Sequence, residues 1–386
     1  MVSRSPTHIP ISTQSKTSSK GYSFIIILSS TPETKHHIQF KMPKKPVIKA
    51  YFFNWAGGTS LIYSPLRAAL ARQCGSNAGD DSNSLSSSLS RSFVIESIPV
   101  DLPGRLVRST EHAITDIPEL AASLIKEIFP AGTVESSNTD ENGKKGSADQ
   151  ILQNNLNEPY VLFGHSYGSI LAFEVAKQLE ERKMQGPMML FISASRPPSS
   201  ISLTSHANEM KPVSEMNFEE MVEYFQSRGS TMTMDDFKCD DLRRLFVKSV
   251  KVDYKGLEEY VSNDYKVSCP ICAIGGDQDN IVNPEQISQW KMHLRRDRID
   301  DGGCEANENF ELHILSGRGH FYLNDSSSTC VDSGTPHDLA KICIEGIEMV
   351  SGDRCLKVLI LFIHKLTFFI CNFLLGLKEG NSGYRE

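Results

Sequence analysis

Residues 159–178 read Pro-Tyr-Val-Leu-Phe-Gly-His-Ser-Tyr-Gly-Ser-Ile-Leu-Ala-Phe-Glu-Val-Ala-Lys-Gln, an apolar, β-rich run that passes through a glycine-flanked serine into an amphipathic helical pattern. Few architectures accept so abrupt a change of period. The segment predicts a buried strand turning sharply into a helix, with Ser166 in a strained conformation at the carboxyl edge of a sheet. Gly164 and Gly168 would let strand and helix approach without Cβ clashes. The pattern Gly-x-Ser-x-Gly arises by chance in short sequences, so its weight comes from the strand before it and the helix after it. Without them, Ser166 would read as a small residue in an ordinary tight turn.

The same alternation runs through the chain. Two Ser-, Asn-, Asp- and Gly-rich stretches, 75–92 and 132–150, lack hydrophobic periodicity and read as solvated insertions. Without them, strand patterns fall at 47–53, 93–100, 160–164, 188–194, 269–275 and 310–315, and helical patterns at 61–73, 117–128, 166–183, 285–295 and 338–350. Strands alternating with helices predict an α/β fold with a mostly parallel central sheet and helices on both faces, because parallel neighbours need crossover connections. One interval breaks the rhythm. Residues 196–266 hold helical patterns at 218–228, 235–250 and 254–261 and no convincing strand, which predicts a helical lid inserted between two strands.

A serine hydroxyl is a weak nucleophile at neutral pH and needs a base, itself oriented by a third group. In a strand–serine–helix arrangement of this kind the chain order is Ser, then Asp or Glu, then His. His320 follows the strand 310–315 through a glycine-containing turn and is the expected base; His313 falls inside that strand's alternation and reads as a packing residue. The strand before it ends in Gly275-Gly276-Asp277-Gln278-Asp279, which offers two carboxylates. Asp279 is the preferred orienting group and Asp277 the alternative; the other would be a turn-forming Asp. The oxyanion of an acyl-transfer reaction also needs donors. The amide of Tyr167 is one candidate, and the amide of Ala56, in the Asn54-Trp55-Ala56-Gly57-Gly58 turn after the first strand, is the other.

Composition narrows the partners. The chain has 47 Asp plus Glu against 40 Lys plus Arg over 386 residues, so it lacks the basic footprint of nucleic-acid binding. Nine cysteines without dense pairing spacing point to a reducing compartment. Cys269 and Cys272 form a Cys-x-x-Cys, yet in a strand they face opposite sides and read as core residues rather than as a metal or redox site. No metal or cofactor is expected, a monomer is expected, and so is a cytoplasmic location.

The termini complicate that location. Residues 1–46 are Ser-, Thr- and Lys-rich and fit a disordered tail or an organelle-targeting extension. Residues 356–377 are almost continuously apolar and long enough for a bilayer-crossing helix, but Lys357, His364, Lys365 and Asn372 would give it a polar stripe. A membrane association through 356–377 therefore stands as an expectation. The domain proper is expected over 47–354, with 355–386 a separate apolar tail.

Taken together the motifs resemble the type II thioesterases, which include editing thioesterases of peptide and polyketide synthases and the medium-chain thioesterase of animal fatty acid synthase. Phe53-Asn-Trp-Ala-Gly-Gly-Thr59 looks like that family's Phe-Pro-Tyr-Ala-Gly-Gly-Ser, and Asp101-Leu-Pro-Gly-Arg105 like its Gln-Leu-Pro-Gly-Arg. The elbow 164–168, Gly276-Asp-Gln-Asp279 with Trp290 downstream, and Gly319-His320-Phe-Tyr-Leu323 complete the set. The departures are Asn54 for the usual Pro, Arg318 before Gly-His, the two insertions and both tails. The resemblance implies the α/β-hydrolase fold, the triad Ser166, Asp279 and His320, and hydrolysis of an acyl thioester through an acyl-enzyme. It implies as partner an acyl-carrier protein or carrier domain bearing phosphopantetheine, or coenzyme A, in fatty acid, polyketide or nonribosomal peptide biosynthesis. Trp55, Phe218, Met221, Tyr224 and Phe225 are candidate liners of an acyl channel, against the plainer reading that the lid residues only pack the lid. Triad chemistry alone also suits a general carboxylesterase or lipase, and the fold alone a non-catalytic ligand-binding protein.

Overall fold

Runs of β-branched and aromatic residues too short for helices form the centre of the molecule. In the computed structural model, residues 45–74, 93–129, 158–201, 211–295, 309–324 and 334–351 are described. The insertions 75–92 and 132–150, the apolar stretch 356–377 and nearly all of 1–46 lie outside the described residues.

Six strands, β1 (Val47–Phe53), β2 (Val94–Pro99), β3 (Tyr160–His165), β4 (Leu190–Ser193), β5 (Ile271–Gly276) and β6 (Phe310–Leu315), form one sheet in the order β2-β1-β3-β4-β5-β6. Every pairing is parallel. The strands fall on the six expected runs, β1 and β6 with the expected ends and the others with ends shifted by one or two residues. β3, β4 and β5 are buried along their whole length, as strands covered on both faces must be.

Helices α1 (Ser64–Cys74) and α7 (Thr335–Val350) pack on each other and help to cover one face, while α2 (Ile117–Ile128) and α3 (Tyr167–Glu181) pack together within the core of the other. Asp116 caps α2 by accepting the Glu119 amide, a bond that satisfies one of the donors every helix start leaves open. Cys269 lies in the α2–α3 core and Cys272 in the α1–α7 core, so the two thiols sit on opposite faces. Burial pushes both thiols far above their ordinary range.

Between β4 and β5 the described chain is helical: α4 (Phe218–Gln226), then α5 (Asp240–Glu259), with short 3-10 turns before and between them. Asn217 and Glu220 close a reciprocal capping box at the start of α4. Two expectations are corrected. The separate helices at 235–250 and 254–261 are one continuous α5, because Lys251-Val252-Asp253 contains no breaker. Gly256 inside it marks a close approach rather than an end, since a Cβ there would meet the Thr115 carbonyl oxygen at 2.4 Å. The helix expected over 285–295 is a short α6 (Pro284–Ser288) tightening into the 3-10 turn Gln289–His293, with the Trp290 indole held by the Ser195 carbonyl at 2.8 Å.

Candidate active site

Ser166 sits between β3 and α3 with φ 54° and ψ −118°, a conformation that L residues adopt only where their surroundings enforce it. The enforcement is visible on both sides. The Ser166 amide donates to the Ser193 carbonyl on β4 (2.8 Å), and the Ser169 hydroxyl donates to the Gly164 carbonyl (2.8 Å). A Cβ on Gly164 would stand 2.2 Å from the Gly168 carbonyl oxygen, and one on Gly168 would stand 2.0 Å from that of Phe53. Only glycine permits these contacts.

His320 follows β6 through a turn containing Gly317, at φ +72°. Its Nε2 lies 3.1 Å from Ser166 Oγ and its Nδ1 lies 2.9 Å from Asp279 Oδ2. The second oxygen of Asp279 accepts the amides of Ile281 (2.8 Å) and Val282 (2.9 Å), which fixes the carboxylate plane. Asp277 instead accepts the Gly317 amide (2.6 Å) and the Ser316 hydroxyl (3.2 Å), tying the two strand-end turns together. Of the two carboxylates left open by the sequence, Asp279 is the one that reaches the imidazole.

His165, the residue before the serine, carries a second array that the sequence reading missed. Its Nε2 faces the His320 carbonyl oxygen (3.1 Å), its Nδ1 faces Ser193 Oγ (2.8 Å), and Ser193 Oγ in turn meets the Tyr322 hydroxyl. Burial, and then the neighbouring His320, hold the His165 pKa well below its ordinary 6.5, so the ring is neutral. A neutral ring facing a carbonyl with Nε2 must carry its proton there and accept at Nδ1. Ser193 then donates to His165 and accepts from Tyr322. One proton order satisfies the whole chain and holds the His320 backbone.

The turn after β1 lies beside α5. The Gly58 amide donates to the Trp55 carbonyl (3.0 Å), and the Ala56 amide donates to none of the described residues. Tyr167 is the first residue of α3, where the helix offers its amide no acceptor. Its phenol is buried and has no hydrogen-bond partner among the described residues. Asn54 donates weakly to the Gly58 carbonyl (3.4 Å), while its own side-chain oxygen is buried and unpaired among the described residues. Arg105, from the Leu-Pro-Gly-Arg segment, donates to the Gly58 carbonyl (3.0 Å) and pairs with Asp253 of α5, which accepts the Gly57 amide (2.7 Å).

The expected channel residues divide. The Trp55 ring meets His165 (5.5 Å between centroids) and Phe321 (5.7 Å) edge-on. Phe225 reaches Phe321 (6.5 Å), which abuts the His320 ring (5.1 Å). Met221 is buried in the core shared by α4 and α5, and Tyr224 packs on Phe225 and Tyr254 with the Arg228 guanidinium over its ring. Phe218 packs on Phe237 and Phe246, with no ring contact to Phe321 or His320. Among the described residues, Cys272, Glu311 and His313 bring ligand atoms within 4.8 Å of one another on β5 and β6. Burial pushes the pKa of the thiol up, and Glu311 and His313 are half-buried on the edge strand β6. Among the described residues no helix is long and apolar enough to cross a membrane.

A mostly parallel sheet with a strained serine at its carboxyl edge, a histidine and a carboxylate on later strand ends, and a helical insertion before the carboxylate's strand defines an α/β-hydrolase. Comparison with known proteins narrows the class: residues 145–332 match the thioesterase domain. It is 26% identical over 232 residues to the thioesterase PikA5 of Streptomyces venezuelae, spanning 60% of this chain and 67% of the relative. It is 23% identical over 241 residues to the gramicidin S biosynthesis protein GrsT of Aneurinibacillus migulanus, spanning 62% and 76%. The fold matches the RedJ thioesterase of the prodiginine pathway in Streptomyces coelicolor with TM-score 0.51 at 20% identity, covering 80% of this chain and 95% of that one. ClbQ of the colibactin pathway matches with TM-score 0.53 at 19% identity, covering 79% and 98%.

Proposed function

We propose that this protein is a serine thioesterase that hydrolyses acyl thioesters carried on the phosphopantetheine arm of an acyl-carrier protein, or on coenzyme A, within a polyketide, peptide or fatty acid pathway. The reading rests above all on the 3.1 Å approach of His320 Nε2 to Ser166 Oγ, with Asp279 behind the imidazole at 2.9 Å.

In this reading His320 Nε2 takes the Ser166 proton as Oγ attacks the thioester carbonyl. Asp279 holds the Nδ1–H tautomer and offsets the charge of the imidazolium. The tetrahedral oxyanion is met by the Ala56 and Tyr167 amides. Its collapse breaks the C–S bond, and the departing sulfur takes the proton from His320. Water then gives a proton to His320 and attacks the acyl-enzyme, releasing a carboxylic acid and restoring Ser166. The segment over the site, α4 and α5, acts as the lid, with Phe225 and Phe321 on the acyl side and Met221 and Tyr224 packing it from within.

The test is a panel of one acyl chain on a carrier protein, on coenzyme A and on nitrophenol. Turnover of the pantetheine thioesters should lead, and Ser166→Ala should abolish it. Equal turnover of the nitrophenyl ester, blind to the pantetheine arm, would make the protein a general carboxylesterase. Failure of a fluorophosphonate to label Ser166 would make it a non-catalytic binding protein.

A further inference from the structure

The Leu-Pro-Gly-Arg segment has no part in the chemistry just described, yet its arginine ends beside the turn that carries the Ala56 amide. We infer that Arg105 is a positioning residue for that turn: with Asp253 of α5 it grips the Gly57–Gly58 backbone, and its charge offsets Asp253 near the developing oxyanion. The inference rests on the function proposed above.

Three observations carry it. Asp253 Oδ2 accepts the Gly57 amide at 2.7 Å while Arg105 Nη1 donates to the Gly58 carbonyl at 3.0 Å, so one ion pair holds both polar groups of neighbouring residues in the turn. Gly57 has φ +74°, and a Cβ on it would stand 2.4 Å from Val250 Cγ2, so α5 presses directly on the turn. The buried Tyr167 phenol feels the charges of both Asp253 and Arg105, and the Tyr167 amide is the second oxyanion donor of the proposed mechanism. The two side chains are 7% and 1% exposed. Replacing a buried ion pair by apolar residues is commonly neutral or stabilising, so support of the fold alone gives no reason for this one. Apolar side chains could not hold an N–H and a C=O of the turn.

The charges predict an asymmetry. Removing Arg105 leaves a carboxylate facing a site where negative charge develops; removing the Asp253 charge leaves a cation, and asparagine still accepts the Gly57 amide. The experiment uses full-length Arg105→Gln, Asp253→Asn and the double variant. It reads the rate of Ser166 phosphonylation by a fluorophosphonate, kcat and KM on an acyl-pantetheine thioester, and thermal melting. Arg105→Gln should slow phosphonylation and kcat by about 10- to 100-fold, below the loss of an oxyanion donor outright, with KM nearly unchanged. Asp253→Asn should lose less, and the double variant should recover part of the Arg105→Gln loss. Variants that melt lower but react at the wild-type rate would overturn the inference, and equal losses in the two single variants would overturn its electrostatic half. Should the neutral variants fail to fold, Arg105→Lys keeps the charge but not the two-pronged reach. A wild-type rate there would be equally decisive against the inference. A wild-type protein that labels yet spares thioesters overturns the thioesterase reading alone, because the labelling rates still test Arg105; one that does not label overturns both.

Discussion

The carboxyl edge of the sheet and the helical segment between β4 and β5 are joined to the molecule by different means. At the edge, backbone meets backbone: Ser166 N–H on the Ser193 carbonyl, Gln278 N–H on the Arg318 carbonyl, Gly168 flat against Phe53. Apart from the close approach of Gly256 to the Thr115 carbonyl, the lid is held through side chains, by an apolar cluster around Met221, Phe225 and Val250 and by the Arg105–Asp253 pair. Backbone contacts leave no slack, whereas side chains can repack. Under the proposed function, reacting atoms would need placement within fractions of an ångström and an acyl chain a cover that adapts, and the two constructions would suit those two tasks.

The sharpest way to break this comparison lies within the edge itself. Asp279→Asn should lower kcat by about 10⁴-fold, because an amide favours the wrong imidazole tautomer. Asp277→Asn, two residues away, should lower it less than about tenfold, since Asp277 only ties the Gly317 turn. Steady-state kinetics on one thioester separates them. Comparable losses would place the orienting group wrongly.

Two glycines compare edge and lid directly. Gly168→Ala pushes a Cβ into the Phe53 carbonyl at 2.0 Å, and neither backbone can yield. A loss above about 4 kcal/mol in urea unfolding is expected, in the range reserved for severe packing faults. Gly229→Ala follows α4 in open space and meets only the strain of φ +86°. About 1 to 2 kcal/mol is expected there.

Met221→Ala probes the lid's own cohesion. The residue is fully buried, and comparable truncations lose about 2 to 5 kcal/mol. Because α4 meets the body mainly through side chains, the loss should appear as local opening: faster hydrogen exchange in α4 and α5, with β3 to β5 unchanged. Uniform acceleration across the sheet would show that lid and body unfold as one unit.

The edge was also the more legible region. Fully buried parallel strands such as β3, β4 and β5 must be short apolar runs, and with the insertions set aside all six strands could be read. Ser166 and His320 followed from the order of strand ends, and Asp279 was separable from Asp277 only as a preference, because both follow the same strand and differ only in which way the turn aims them. The lid hid more. No local signal across Lys251-Val252-Asp253 says whether 235–261 is one helix or two. Asp253 looked like any polar residue of an amphipathic helix. Its partner lies 148 positions away, a distance no periodicity spans. His165 was in view inside the motif, but its role needs Ser193, Tyr322 and the His320 carbonyl brought together by the fold.

The smallest effect expected is a slope with pH, and it sets the two regions against each other. His165, at the edge, has a pKa depressed by burial below its ordinary 6.5. Below that value the unfolded chain takes up a proton that the folded chain refuses, so its contribution to stability is complete above 6.5 and is lost on acidification, at up to about 1.4 kcal/mol per pH unit. Asp253, in the lid, has a pKa raised by burial, only partly offset by Arg105 and the Gly57 amide, so acidification towards its ordinary 3.8 favours the folded state. The two slopes have opposite signs. Urea unfolding of wild type and His165→Gln between about pH 5 and pH 8 isolates the first, because histidine titrates there and the contribution of Asp253 is common to both proteins. The variant should lose less stability than wild type on going from pH 7 to pH 5. Parallel curves would mean that His165 accepts a proton in the folded state, and the single proton order through Ser193 and Tyr322 could not then hold the His320 backbone.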